Sequence, residues 1–126
     1  MNVAYVDTSC LVAIAFGERG SSRVSARLDS FEQIFAANLL EAELMASFAR
    51  ERASYNPDLV GGLTWIMPDR PLTEEIGRVL SVGLLRGADL WHLAVALYVA
   101  EDASEMTFMT LDAAQRAHAE RLGFRL

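Results

Sequence analysis

The chain has 126 residues, 52% hydrophobic and 22% charged, which is enough for one domain with a buried core and too little for two. Seventeen acidic residues against 11 basic ones give a formal net charge of −6, and all 11 basic residues are arginine. The absence of lysine excludes Schiff-base chemistry, a P-loop phosphate clamp and lysine-assisted aspartyl phosphotransfer, while the acidity argues against a non-specific basic coat for DNA or anionic lipid.

Strand and helix signals alternate along the chain. Val3-Ala4-Tyr5-Val6 reads as a short strand, and Asp7-Thr8-Ser9 is a polar stop that opens a helix running through Ile14. Gly17 to Gly20 is a turn before a short helix bearing Arg23, Arg27 and Leu28. Ile34 to Ala37 is a second strand, after which Asn38 caps a long helix reaching about Arg52. Asn56-Pro57 begins a helix ending at Gly61-Gly62, Leu63 to Met67 is β-compatible, and Pro68 closes it.

Leu72 to Leu85 is helical, with Thr73 as cap and Gly87 as stop. Ala88 to Glu101 is apolar nearly all round and is expected to be a buried central helix. Met106 to Leu111 is a strand, Ala113 to Leu122 a helix, and Phe124 to Leu126 a short last strand. The order predicts an α/β fold with one parallel sheet of four to five strands, covered on both faces by helices, over residues 1–126. Functional groups in such folds collect at the carboxyl ends of the strands.

One cysteine, Cys10, lies among apolar neighbours and reads as a small buried hydrophobe in a protein of the reducing cytoplasm. No basic segment precedes the first apolar stretch and Asp7 interrupts it, so no signal peptide is expected. The run Leu93 to Ala100 is far short of the roughly 20 residues of a membrane span.

Carboxylates are the remaining chemistry. The chain has no G-x-S-x-G, G-x-G-x-x-G or C-x-x-C motif, and two histidines with one cysteine make no zinc site. Asp7 ends the first strand and Asp112 follows a later one, so a parallel sheet brings them to one edge. Asp89 opens the central helix, and Glu43 lies in the long one. Several carboxylates in one cleft repel each other unless a cation is present, and hard oxygen donors favour Mg²⁺ or Mn²⁺. Such an ion or ion pair activates water for phosphodiester cleavage without lysine or histidine.

Each carboxylate also has a plain structural reading. Asp7, Asp89 and Asp112 stand where helix caps belong, Asp112 with Gln115 resembles a capping box, and Glu43 could be an ordinary solvated residue. Leu40, Leu44 and Phe48 form the apolar stripe of the long helix, and both Glu41 and Glu43 could border a cleft beside it. His92 fits a hydrogen-bonded core histidine one turn after Asp89. Trp65 and Trp91 fit the core or an interface. Thr8, Ser9 and Thr110 flank the acidic positions and could orient ligands. Arg23, Arg27, Arg50, Arg52 and Arg86 could hold phosphates or simply be solvated.

Taken in order, these segments resemble the PIN-domain family, and within it the VapC-type toxins of type II toxin–antitoxin systems. Val6-Asp7-Thr8-Ser9, Ala42-Glu43-Leu44-Met45-Ala46-Ser47-Phe48, Ala88-Asp89-Leu90-Trp91-His92-Leu93-Ala94 and Phe108-Met109-Thr110-Leu111-Asp112 carry the resemblance, and Leu122-Gly123-Phe124 closes it. Leu90 stands where the family often has a small residue. The alignment favours Glu43 over Glu41.

The resemblance implies an Mg²⁺- or Mn²⁺-dependent endoribonuclease, cytoplasmic and homodimeric, in which Asp7, Glu43, Asp89 and Asp112 hold the metal or orient its water. It further implies RNA as substrate, inhibition by a cognate antitoxin protein, and no membrane association. Two alternatives accompany it: a housekeeping RNA-processing nuclease of the same fold, and a non-catalytic module whose acidic cleft receives a basic partner.

Overall fold

The computed structural model describes residues 2–126. Four strands, β1 (Val3–Val6), β2 (Gln33–Ala37), β3 (Leu63–Ile66) and β4 (Met106–Met109), form one parallel sheet in the order β3-β2-β1-β4. Six helices accompany it: α1 (Thr8–Ala15), α2 (Ser21–Asp29), α3 (Leu39–Arg50), α4 (Thr73–Ser81), α5 (Gly87–Val99) and α6 (Ala113–Leu122).

Side chains alternate across β1 and so divide the core into two. Tyr5 packs with Leu72 and Val79, with Leu93 to Leu97 of α5 and with Ala119 of α6. Ala4 and Val6 face the other way, against Cys10 and Leu11 of α1, Leu28 of α2 and Leu40, Leu44 and Phe48 of α3. The expected α/β/α sandwich is therefore present, with three helices on each face. β1 and β4 are the most deeply buried strands, as a doubly covered parallel sheet requires. Both clusters gain stability from apolar burial at about 25 cal/mol per Å².

Several expected boundaries are corrected. The helix expected over Leu72 to Leu85 is α4, which ends at Ser81 with Leu72 rather than Thr73 at its cap. The chain turns at Gly83, where φ is +154° and a Cβ would lie 2.8 Å from His118 Nε2. Packing from α6 thus demands glycine there, and Gly87 opens α5 instead of stopping α4.

Asn38 occupies the cap position of α3 but makes no side-chain cap hydrogen bond, and that helix ends at Arg50, two residues early. The Asn56-Pro57 segment is a single 3-10 turn, Pro57–Val60, held by Asn56 Oδ1 accepting from Asp58 N. The last strand shrinks to one bridge between Thr107 and Arg125, with Arg125 N donating to Met106 O. No helix among the described residues is long and apolar enough to cross a membrane.

Candidate active site

The strand order places a topological switch beside β1: the chain proceeds outward through β2 and β3, then returns to add β4 on the other side. Crevices at such a point, outside the carboxyl ends of the strands, are where α/β sheets bind ligands. Val6 of β1 pairs with Met109 of β4, so Asp7 and Thr110 leave the sheet side by side, with Asp7 N donating to Met109 O at 3.1 Å.

Asp7 is buried, and its two oxygens are held separately. Ser9 Oγ donates to Oδ1 at 2.6 Å, and Thr110 Oγ1 donates to Oδ2. It stands at the cap position of α1 but makes no capping bond. Burial pushes its carboxyl above the ordinary range, against the lowering effect of the Ser9 and Thr110 hydroxyls and of His92. An ionised carboxylate so placed costs stability unless a cation compensates it.

Glu43 is the opposite case. Burial alone would raise its carboxyl, but hydrogen bonds from His92 and Thr8 outweigh it and hold the group below the ordinary range. His92 Nε2 lies 2.6 Å and Thr8 Oγ1 2.8 Å from the same oxygen, Oε1. Glu41 is exposed and takes no part. Of the two glutamates that helical geometry left open, Glu43 is the one bonded to Thr8 and His92.

His92 is both a buried core histidine and a member of this group. Its Nδ1 lies 2.7 Å from Tyr5 Oη, which in turn accepts from Ala37 N at 3.3 Å. An ionised Glu43 carboxylate can only accept, so His92 Nε2 carries the proton donated to it, and in the neutral ring Nδ1 then accepts from the Tyr5 hydroxyl. Burial pushes the Tyr5 phenol well above its ordinary value, so it keeps that proton.

Asp89 and Asp112 are tied to each other through Gln115. The Gln115 side-chain amide donates to Asp89 Oδ1 at 2.9 Å, and its backbone N–H donates to Asp112 Oδ1 at 2.8 Å. Asp112 is therefore a true helix cap, as its structural reading held, while Asp89 sits in the first turn of α5 without capping it. Only half a capping box forms, because Asp112 N donates to Thr110 and Gln115 turns to Asp89. Gln115 Oε1 is buried without a hydrogen-bond partner.

Two contributors escaped sequence reasoning. Tyr5 reads there as plain strand core, and Gln115 only as a box partner for Asp112. The Asp-x-x-Gln spacing was the available signal for Gln115; nothing local marked Tyr5. Cys10 is buried as expected, its thiol pushed up to about 12, chiefly by burial and then by the charge of Asp7.

The four carboxylates come from four separate segments: Asp7, Asp112 and Asp89 are linked through Thr110 and Gln115, while Glu43 is held apart from them by Thr8 and His92. Among the described residues, no three acidic, histidine or cysteine side chains are gathered closely enough to hold an ion. Glu43 Oε2, Asp89 Oδ2 and Asp112 Oδ2 nonetheless take no donor among the described residues, so each half-buried carboxylate keeps one free oxygen. All-oxygen donors of this kind fit Mg²⁺ or Mn²⁺ in chemistry, and side-chain movement would be needed to close round one.

The fold is a three-layer α/β sandwich with carboxylates beyond the carboxyl ends of its parallel strands. The PIN domain family matches residues 4–126, and the chain belongs to that family. PIN domains are generally nucleases, and those nucleases typically use divalent metal ions. No curated protein matches the chain.

Proposed function

We propose that this protein is an endoribonuclease dependent on Mg²⁺ or Mn²⁺, and that it is the toxin of a toxin–antitoxin pair. The observation that supports the catalytic reading is the Asp7 carboxylate, buried beyond the end of β1 beside Thr110 of the β4 end and short of a compensating charge. In this reading Glu43, Asp89 and Asp112 complete the site. Bound Mg²⁺ or Mn²⁺ would supply the charge that lets an RNA phosphodiester approach, and would make water acidic enough to attack it.

The chain's own residues do the positioning. Ser9 and Thr110 fix the Asp7 carboxylate in orientation, and His92 and Thr8 keep Glu43 ionised at neutral pH. Gln115 sets the spacing of Asp89 against Asp112. The toxin role, the cognate antitoxin, the homodimer and the cytoplasmic setting rest on the family resemblance. An acidic pocket suits an antitoxin that reaches into it with arginine.

One observation favours a second reading, an acidic cleft that binds a basic partner without metal: every carboxylate is already held by protein donors. Calorimetry with Mn²⁺ separates the two. The nuclease reading expects binding heat that disappears in Asp7→Asn and Glu43→Gln; the binding module expects none. The toxin role is tested by induced expression, which should arrest growth in wild type and not in Asp89→Asn.

A further inference from the structure

Arginine is this chain's only permanently cationic side chain, and three of its arginines converge on one pocket. Arg23 and Arg27 of α2 and Arg116 of α6 line a cavity of about 170 Å³ whose floor is the end of β4 and the Thr110-Leu111 segment. Arg23 and Arg27 are four residues apart and so share one helix face. Among the described residues, no acidic side chain lines the cavity. None of the three arginines pairs with an acidic side chain among the described residues, although acidic side chains outnumber basic ones by 17 to 11. Arg27 donates to the main-chain oxygen of Leu126 at 2.7 Å; its remaining N–H groups are open to a ligand.

The position gives the pocket its meaning. Thr110 is part of its wall and also the donor to Asp7, and Leu111, the next residue of the wall, precedes Asp112. A cationic pocket therefore abuts the acidic edge. Guanidinium forks recognise phosphate oxygens well, and three close together repel one another until an anion offsets them. RNA approaching the carboxylates meets like charge there, and needs a foothold beside them.

We propose that Arg23, Arg27 and Arg116 form a phosphate subsite, which holds an uncut phosphodiester of the RNA strand while its neighbour lies over the carboxylates. The assignment rests on the nuclease reading for its substrate, and on the pocket itself for its charge.

The test is binding of a short single-stranded RNA in EDTA, where no cutting occurs, as a function of KCl concentration. Arg27 is left in place because it also anchors the C-terminal segment. The Arg23→Gln/Arg116→Gln double variant should bind at least tenfold more weakly at low salt. Its slope of log affinity against log salt should fall by about 0.7 for each phosphate that the variant no longer neutralises. Arg50→Gln and Arg78→Gln, remote from the pocket, should match wild type.

With Mn²⁺ present, the double variant should raise KM and leave kcat nearly unchanged, and its melting temperature should be that of wild type. Unchanged affinity, slope and KM would overturn the subsite even if RNA is cut. Arginine-dependent RNA binding without any cleavage would uphold it and remove the nuclease reading instead. Arginine-dependent capture of polyglutamate with no effect on RNA would assign the pocket to an acidic protein segment and overturn the proposal.

Discussion

His92 Nε2 lies 2.6 Å from Glu43 Oε1, and this hydrogen bond ties the centre of the core to the acidic edge. Behind it runs a directed chain, from Ala37 N–H to Tyr5 Oη, and from the Tyr5 proton to His92 Nδ1. The direction matters because only the Nε2–H form of the ring can both accept from Tyr5 and donate to Glu43. Residue 92 thus sets where a carboxylate points, without needing to touch substrate.

Replacing Tyr5 by Phe removes one oxygen and leaves His92 Nδ1 and the Ala37 N–H unpaired in the core. The expected loss is about 1–3 kcal/mol of unfolding free energy, read by urea denaturation. Nitrogen-15 spectra of the wild-type imidazole should show the neutral Nε2–H tautomer. A wild-type Nδ1–H tautomer would contradict the chain of donors.

Asp7 should trade stability for function. Its burial disfavours the ionised form, so in metal-free protein at neutral pH the Asp7→Asn variant is expected to melt a few degrees higher than wild type. One of the two hydroxyls, Ser9 or Thr110, still donates to the amide oxygen, and the other must turn to accept from the amide NH2. Mn²⁺ should then raise the melting temperature of wild type but not of the variant, as expected when a ligand binds only the native site. Differential scanning calorimetry with and without Mn²⁺ reads both effects.

Away from the site, Arg70 reaches Glu75 with both nitrogens, at 3.1 and 2.6 Å. The guanidinium holds the Glu75 carboxyl below its ordinary range. A depressed carboxyl stabilises the fold above its unfolded value and loses that contribution as pH falls through the folded one. Glu75→Gln should therefore lower the melting temperature at pH 7, with the gap closing as the pH drops below the ordinary carboxylate range. The effect is small because Arg70 is half exposed and screened by solvent. A gap that stays constant down to acid pH would contradict the pair's role.

Much of this arrangement was legible in the sequence because parallel β-α alternation dictates where strand ends go. Asp7 and Asp112 could be sent to one edge from chain order alone. Glu41 and Glu43 could not be separated that way: both flank the Leu40-Leu44-Phe48 stripe, and the choice depends on Thr8 and His92, which are distant in sequence. Tyr5 was invisible for the same reason, since its role exists only once β2 lies beside β1 and α5 packs below.

The end of α4 was misjudged because Val82, Leu84 and Leu85 continue an apolar helical pattern. The chain leaves the helix at Gly83, whose φ of +154° is non-helical and where the nearby His118 imidazole leaves no room for a Cβ. Asp112 caps α6 with one oxygen and keeps the other free, so its capping role does not exclude a role in the proposed site.

If the four carboxylates serve one divalent-ion nuclease site, RNA cleavage must depend on both the ion and the acidic side chains. Incubating a mixed RNA pool with purified wild type and with Asp89→Asn, each in Mg²⁺ and in EDTA, tests it most directly. Discrete RNA fragments should appear with wild type in Mg²⁺ alone, and none in the other three reactions. Cleavage that persists in EDTA or in Asp89→Asn, or an RNA pool left intact by wild type in Mg²⁺, would contradict it.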